Sequence, residues 1–85
     1  MAEYEKEKIK EVKNVLLGKK VVEIRYMTEE ECTYFCWDKA GIVIIFEDGS
    51  YILPQSDNEG NNAGALSLST QARETIVPTI YRRGR

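Results

Sequence analysis

The stretch GIVIIFEDGSYILPQSDNEGNNAGAL, residues 41–66, decides the fold of this chain. Its first part, residues 42–46, is apolar throughout, which is typical of a strand buried on both faces. Asp48-Gly49 then predicts a two-residue turn of type I′, in which both central positions need a positive φ. The chain returns through residues 51–53 to Pro54, which has no N–H to donate and so ends the pairing or marks a sheet edge. We therefore predict a central β-hairpin followed by a long polar loop.

The segment before this hairpin is predicted to form a helix and then a strand. Ile9, Val12 and Leu16 recur at helical spacing. Acidic residues lie in the early turns and Gly18 follows as a C-terminal cap, so we predict a helix over residues 3–17. The side chains of residues 19–27 then alternate between two faces, as in a strand with one packed face and one face partly exposed to solvent.

A T-x-x-E capping box at residues 28–31 predicts a short second helix over residues 29–35. Cys32 and Cys36 would lie on its inner side. The chain has no histidine and no further cysteine, so two thiols make an incomplete zinc site, and we predict a buried pair of small hydrophobic residues. Trp37 is predicted to close the end of the core, with stacking on a nucleic-acid base as the alternative.

The segment after the polar loop ends in a predicted edge strand. Residues 67–72 fit either a strand or a short helical turn. Residues 75–81 predict a final strand, which Pro78 places at an edge because proline cannot donate to the ladder. An apolar edge strand in a small sheet must be covered, closed into a barrel or paired with another copy.

The length of 85 residues predicts a single domain. A chain of this size buries only roughly 60–65% of its unfolded surface, so self-association would add to a thin margin of stability. No run approaches the ~20 apolar residues of a membrane span, and the N-terminus is charged rather than signal-like. We therefore expect a cytoplasmic protein with reduced thiols and no membrane partner.

The loop over residues 55–64 carries oxygen-bearing side chains at alternate positions, namely Asp57, Glu59 and Asn61. This spacing is similar to the start of a calcium-binding loop, but the glycine of an EF-hand would fall at Asn62 and the closing glutamate is missing. Turn chemistry explains the composition, so we predict no metal and no other cofactor. Because a loop of this length usually has a contact role, the three residues form a candidate interaction site.

The residue inventory argues against catalysis. With no histidine and no complete zinc set, the remaining nucleophiles are Cys32 and Cys36. Residues 29–31 are three glutamates, whose negative charge opposes formation of a thiolate nearby. We therefore predict a binding function rather than an enzyme and assign no catalytic residue.

Several of these segments resemble a known group of proteins. Residues 24–32 (IRYMTEEEC), Trp37 and residues 42–66 are similar to small proteins from marine cyanophages and related environmental sequences. The specific part is D-x-E-G-N-x-A-G-A-L at residues 57–66. These proteins commonly have a glycine before the tryptophan, where this chain has Cys36.

The resemblance implies a mainly β fold, a small and strongly bent barrel of the Sm-like or SH3-like type with an N-terminal helix and a short second helix. It implies one Sm-like domain over residues 1–85, with the helix at residues 3–17 and the barrel at residues 19–81. It also implies a homo-oligomeric ring, of about five to seven copies, in the host cytoplasm. Proteins with this fold usually bind RNA.

The RNA site of Sm-like proteins matches this chain only in part. That site pairs an aspartate with an asparagine in the loop between the second and third strands. Asp48 corresponds to the aspartate, but residues 49–52 contain no asparagine. The Arg-Gly of the second Sm motif compares with Arg83-Gly84, which follow the last predicted strand. The resemblance therefore bears on the scaffold more than on the RNA site.

The candidate nucleic-acid site combines cations, one aspartate and one aromatic ring. Its members are Lys19, Lys20, Arg25, Asp48, Tyr51, Arg82 and Arg83. A ring repeats each charge in every copy, which raises phosphate affinity, and Tyr51 would supply a stacking face. Against this hypothesis, residues 40–72 contain no Lys or Arg, and the net charge of −2 repels phosphate. The alternative function is an interaction or assembly module for a phage or host protein, without nucleic-acid binding.

Overall fold

The computed structural model describes residues 2–82 as a mixed α/β fold of two helices and short antiparallel strands. In chain order the elements are α1 (Glu3–Leu16), β1 (Val21–Tyr26), α2 (Glu29–Phe35), β2 (Lys39–Ala40), β3 (Ile42–Phe46), β4 (Tyr51–Ile52), β5 (Leu66–Ser69), β6 (Glu74–Val77) and β7 (Ile80–Tyr81). Both predicted helices and the central hairpin are confirmed. Among the described residues, no helix is long and apolar enough to cross a membrane.

Helix α1 begins with acidic residues and ends one residue earlier than predicted, at Leu16. The N–H of Leu17 donates to the carbonyl of Lys13 at 3.0 Å, and Gly18 then adopts a φ of 82°, which glycine tolerates better than other residues. None of the α1 residues is buried. The apolar stripe of this helix therefore faces solvent.

Strand β3 is the centre of a three-stranded antiparallel sheet with the order β1-β3-β4. Ile44 lies opposite Ile24 on one side and opposite Ile52 on the other. Val43 and Phe46 are buried while the rest of the strand is half-buried. The central position of this apolar strand agrees with the prediction, although burial is incomplete on both faces.

The turn between β3 and β4 differs from the predicted type I′ turn. The N–H of Gly49 donates to the carbonyl of Phe46, the N–H of Phe46 donates to the carbonyl of Ser50, and Gly49 alone has a positive φ in this turn. This pattern is a three-residue loop in which a left-handed glycine follows a type I turn. Asp48 keeps a negative φ, and its carboxylate accepts a hydrogen bond from the N–H of Ser50 at 3.0 Å.

The capping box predicted for α2 is confirmed in both directions. The N–H of Glu31 donates to the hydroxyl of Thr28 at 3.1 Å, and the N–H of Thr28 donates to the carboxylate of Glu31 at 2.9 Å. The helix ends at Cys36, whose φ of 63° is left-handed. This conformation carries the Cys36 side chain out of the helical register, so Cys36 is exposed and only Cys32 is buried. The predicted buried pair of cysteines is therefore wrong for Cys36.

Substitution of Cys36 by glycine is expected to stabilise the fold by about 0.5–1 kcal/mol. A left-handed conformation costs a residue with a Cβ about 1–2 kcal/mol, and glycine avoids this cost. Part of the gain is offset because glycine loses more backbone entropy than other residues when the chain folds. Urea denaturation followed by circular dichroism measures the change. Cys36→Ala is the matched control because it removes the thiol and keeps the Cβ. Equal stability of the two variants would show that the left-handed conformation costs no more than the extra backbone entropy that glycine loses on folding.

The core collects apolar residues from α2, the sheet and the polar loop. Its buried members are Met27, Cys32, Trp37, Ala40, Val43, Phe46 and Ala63. The predicted core role of Trp37 is confirmed: its ring is 2% exposed and stacks on the ring of Phe35 with centroids 4.8 Å apart. The indole N–H of Trp37 donates to the carbonyl of Gly60 at 2.7 Å, which fixes the loop against the core.

The strands form three separate sheets within residues 2–82, and no closed barrel is present there. The second and third sheets are the pairs β2-β7 and β5-β6. Residues 66–69 form a strand, which settles the alternative left open for residues 67–72. The predicted strand over residues 75–81 is divided at Pro78, which lacks the N–H that a continuous ladder needs. Pro54 likewise follows the short strand β4 and limits its length. Neither β4 nor β6 therefore extends far enough to help close the sheets into a barrel.

Candidate interaction site

A groove of about 340 Å³ lies between α2 and one face of the β1-β3-β4 sheet. It is lined by Arg25, Met27, Glu30, Glu31, Tyr34, Phe35, Val43, Ile45, Gly49, Tyr51 and Leu53. Its volume is at the lower end of the range for small-ligand pockets, and most of its lining is apolar. Enclosure between a helix and a sheet and an apolar lining make this groove a candidate binding site.

The sheet supplies the floor of the groove through its register. Arg25 lies opposite Val43, and Ile45 lies opposite Tyr51. Because side chains alternate between the faces of a sheet, these residues share one face, together with Leu53 two positions after Tyr51. The floor is therefore apolar in the middle and carries a cation at one edge.

Helix α2 supplies the wall of the groove. Residues 30, 31, 34 and 35 are three or four positions apart, which places them on one side of the helix. The Tyr34 ring packs edge-on against the Phe35 ring with centroids 5.2 Å apart, yet Tyr34 is 81% exposed. Phe35 in turn stacks on Trp37, so the wall is anchored to the core while Tyr34 presents an open aromatic face.

A bidentate ion pair joins the wall of the groove to its floor. Two nitrogens of Arg25 donate to the two carboxylate oxygens of Glu31 at 2.9 and 2.8 Å. Arg25 also donates to the carbonyl of Tyr26, and Glu23 lies 3.6 Å from its guanidinium. The hydrogen bond from Arg25 lowers the pKa of Glu31 to about 2, and the hydrogen bond to Glu31 raises the pKa of Arg25. Glu31 therefore caps α2 and holds the guanidinium at the same time.

The ion pair makes the stability of the fold depend on acid pH. The folded-state pKa of Glu31 is below its unfolded value, so its contribution is complete above about pH 5 and is lost as the pH falls toward about 2. Both side chains are about one third exposed, so solvent screening reduces the contribution to roughly 1–2 kcal/mol. Urea titrations at several pH values should show this loss in the wild-type chain and a flatter profile in Glu31→Gln. A wild-type profile as flat as that of the variant would contradict the assignment. Glu47→Gln is the control, because Glu47 is exposed in the turn after β3.

The structure places the predicted nucleic-acid residues in several environments. Lys19 forms an ion pair with Asp48, and this hydrogen bond, with those from Ser50, holds the pKa of Asp48 well below its usual range. Lys20 is exposed and its backbone N–H donates to Glu47.

The remaining members of that predicted site lie elsewhere. Arg25 and Tyr51 both line the groove, where Arg25 is already held by Glu31. Arg82 is exposed, and its Nε donates to the carbonyl of Met27 at 3.1 Å. Arg83 is outside the described residues. Two of the predicted phosphate-binding cations, Lys19 and Arg25, thus have carboxylate partners in the structure, which reduces the positive charge that they present.

The predicted interaction loop is a tightly organised turn. Asp57 accepts hydrogen bonds from the N–H of Glu59 at 3.0 Å and from the side-chain amide of Asn61 at 2.7 Å. The amide hydrogen bond lowers the pKa of Asp57. Within residues 2–82, no group of three or more His, Cys, Asp or Glu side chains is arranged to hold a metal ion. Turn chemistry thus brings the side chains of Asp57 and Asn61 together, whereas Glu59 takes part through its backbone N–H.

Sequence reasoning missed most of the groove wall. It identifies Glu31 only as a capping residue and does not select Tyr34 or Leu53. The spacing of residues 30, 31, 34 and 35 was a usable signal, because it predicts a single helix face with two carboxylates and two rings. The sequence held no comparable signal for the strands that this face covers, since that contact is a tertiary one.

Comparison of the chain with protein-family models, curated proteins and solved structures gives no match.

Proposed function

We propose that this chain is a non-catalytic binding domain that acts as a homo-oligomer. The observation that carries this proposal is the exposure of large apolar side chains on two faces of the described chain, α1 and the outer side of the sheet. A small domain that leaves such faces uncovered gains stability when copies associate.

The first of these faces is the apolar stripe of α1. Ile9, Val12 and Val15 are all more than 40% exposed, and Leu16 is half-buried. These residues repeat at helical spacing on one side of the helix. A stripe of this kind normally covers a core, so its exposure in one chain favours a partner surface.

The second face is the side of the sheet away from the groove. Arg25 lines the groove, so its neighbour Ile24 points to the opposite face. There Ile24, Ile44 and Ile52 form a row across three strands. Ile24 is 62% exposed at the edge of this row. Ile44 and Ile52 are half-buried, so the row is a partly covered apolar surface of the kind that packs against a helix or another sheet.

Magnitudes indicate that several side chains must be buried together. Complete burial of one aliphatic side chain stabilises by about 1.5–3 kcal/mol. The four that are about half exposed, Ile9, Val12, Val15 and Ile24, therefore offer roughly 1 kcal/mol each, and the half-buried Leu16, Ile44 and Ile52 offer less. Association costs an estimated 4–15 kcal/mol. A single residue is therefore too little, whereas the stripe and the row acting together are of the required size.

A closed Sm-like ring of about five to seven copies is the finer form of this proposal. It is supported by the resemblance and by the isolated β5-β6 hairpin, which pairs with no third strand among residues 2–82. Strand pairing between copies would cover the edges of this hairpin, and the Sm-like form further requires that the separate sheets join into a barrel.

Native mass spectrometry of the purified protein tests the proposal, and Ile24→Lys is the informative variant. We expect one closed oligomer for the wild type and at least a tenfold weaker association for Ile24→Lys, because a charge would have to be buried in the contact. Gln71→Lys, which adds the same charge at the exposed β5-β6 turn, should leave the oligomer intact. A wild-type chain that stays monomeric at about 100 μM would refute the proposal.

A second candidate is binding of single-stranded nucleic acid, favoured by two residues that sequence reasoning did not select, Lys39 and Tyr81, next to Arg82, which it did. Lys39 pairs with Tyr81 across β2 and β7, and the Lys39 ammonium lies 5.5 Å from the centre of the Tyr81 ring. Arg82 follows directly and is exposed. An exposed ring beside one lysine, with an arginine at the next position in the chain, suits base stacking with phosphate contacts.

Titration of a labelled oligouridylate at about 50 and 200 mM salt tests this candidate. Replacing Arg82, Arg83 and Arg85 with serine should weaken binding and flatten its salt dependence. Equal affinity of the variant and the wild type would reject the arginine assignment, and Gln71→Ser is the control at an exposed uncharged position.

A protein partner of the polar loop is best tested by a point substitution. Deletion of residues 55–64 would remove the buried Ala63 and the Gly60 carbonyl that accepts from Trp37, so it would damage the core. Glu59→Ser changes the exposed charge and leaves these contacts in place. Retention of the same partners by this variant in a pull-down would argue against Glu59 as a contact.

A further inference from the structure

We propose that the groove between α2 and the sheet binds helix α1 of a second copy of this chain. The inference rests on the proposed self-association and gives the α1 stripe its partner surface, the groove, while the outer row of Ile24, Ile44 and Ile52 is a separate contact between copies. The apolar stripe of α1 would face the groove floor, and a row of lysines beside the stripe would face the acidic rim of the groove.

The groove has the form that helix recognition uses. Its floor is apolar at Val43, Ile45 and Leu53, and the exposed rings of Tyr34, from the wall, and Tyr51, from the floor, also line it. A helix that docks in such a groove presents anchors at positions i, i+3 and i+7. Helix α1 carries Ile9, Val12 and Leu16 at this spacing.

The charge of α1 is arranged beside the stripe. Lys6, Lys10 and Lys13 follow one another at i, i+4 and i+7 and surround Ile9 in a shallow recess. Within residues 2–82 none of the three forms an ion pair, whereas Lys8 on another side of the helix is paired with Glu11 at 3.1 Å. The helix therefore offers three cations along one edge of its apolar face.

The rim of the groove offers the opposite charge. Arg25 is the only cation among the groove-lining residues, and its guanidinium is already held by Glu31 and approached by Glu23. Glu30 also lines the groove and forms no ion pair within residues 2–82. One arginine against three glutamates leaves a negative rim, which complements the lysine row and disfavours an acidic partner.

The arrangement of α1 makes it available to another copy. None of its residues is buried in its own chain, so docking would not require the loss of an existing core contact. If two copies exchanged helices, the product would be a twofold dimer, and if each helix entered the groove of the next copy, a ring would form. The contact fits either symmetry, and the measured mass distinguishes them.

A charge exchange tests the contact. Sedimentation velocity at low salt should show at least a tenfold weaker association for Lys10→Glu/Lys13→Glu and for Glu30→Lys, each taken alone. The combination of all three changes should return the affinity to within about threefold of the wild type, because opposite charges again face each other. Glu7→Lys, on the side of α1 away from the stripe, is the matched control and should have little effect.

The outcomes separate the two proposals. A monomeric wild type would refute self-association itself. An oligomer that none of the charge variants weakens, or that is not rescued by the combination, would overturn the helix-in-groove contact and leave self-association standing.

A photo-crosslinking residue at position 34 gives a second readout that does not depend on charge. In a mixture of isotope-labelled and unlabelled protein, crosslinks from position 34 to residues 6–16 of another copy are expected. Crosslinks between copies that avoid α1 would overturn the contact.

Discussion

Trp37→Ala is expected to lower the free energy of unfolding by about 3–5 kcal/mol, enough to unfold a large share of so small a domain at 25 °C. Trp37 is 2% exposed, and its removal would leave a cavity beside the Phe35 ring. It would also release the Gly60 carbonyl, which accepts the indole N–H at 2.7 Å and fixes the polar loop. Urea denaturation followed by far-UV circular dichroism measures the loss, since the indole fluorescence is removed with the residue.

Trp37→Phe serves as the control for this prediction. It keeps an aromatic ring against Phe35 and loses the hydrogen bond to Gly60, so we expect a loss of about 1–2 kcal/mol. If both variants lost the same stability, the hydrogen bond to the loop rather than the packing of the ring would be the main contribution. A Trp37→Ala variant as stable as the wild type would contradict the assignment of Trp37 to the core.

Gly64→Ala is expected to destabilise the fold by roughly 2–4 kcal/mol, because the added methyl group has no room. A Cβ at this position would lie 2.7 Å from the carbonyl oxygen of Gln55, which is backbone and cannot rotate away. The N–H of Gly64 donates to the carbonyl of Pro54 at 3.0 Å, and Gln55 pairs with Ala63, so the two chain segments are held close together. Relief of the clash would separate them.

The matched control for Gly64 is the exposed neighbour, in the variant Ala65→Ser. Thermal unfolding should show a clear decrease in Tm for Gly64→Ala and little change for the control. A Gly64→Ala variant with the wild-type Tm would mean that the loop can move away from residue 55 at little cost.

Local chemistry accounts for the parts of the fold that the sequence predicts well. The capping box at Thr28 and Glu31 sets the start of α2 from neighbouring residues alone, and the structure reproduces both of its hydrogen bonds. The apolar run of β3 likewise predicts the central strand. The turn type predicted after β3 is wrong because Asp48 keeps a negative φ and accepts a hydrogen bond from the N–H of Ser50. The Asp-Gly pair alone does not determine this conformation.

The candidate site depends on contacts between residues of different elements, which local sequence patterns predict poorly. Arg25 looks like a free cation in the sequence, yet the structure pairs it with Glu31, which comes from a different element. Lys19 and Asp48, which also pair from different segments, are 29 positions apart in the chain. Pro78 correctly predicts a sheet edge, but in the structure it also divides the last predicted strand into β6 and β7. This division depends on the strands that each part pairs with, which the sequence does not specify.

The double role of Glu31 has a consequence for how the molecule opens. Its carboxylate both caps α2 and holds Arg25 of β1, so α2 cannot unwind at its start without releasing a guanidinium from the sheet. The amide protons of α2 and β1 should therefore exchange with solvent as one cooperative unit. Helix α1, which buries no residue, lies outside this unit and should exchange early in the isolated chain. We therefore expect two regions in the isolated chain: a slowly exchanging body that forms the groove, and a rapidly exchanging helix α1 that is available to bind the groove of another copy.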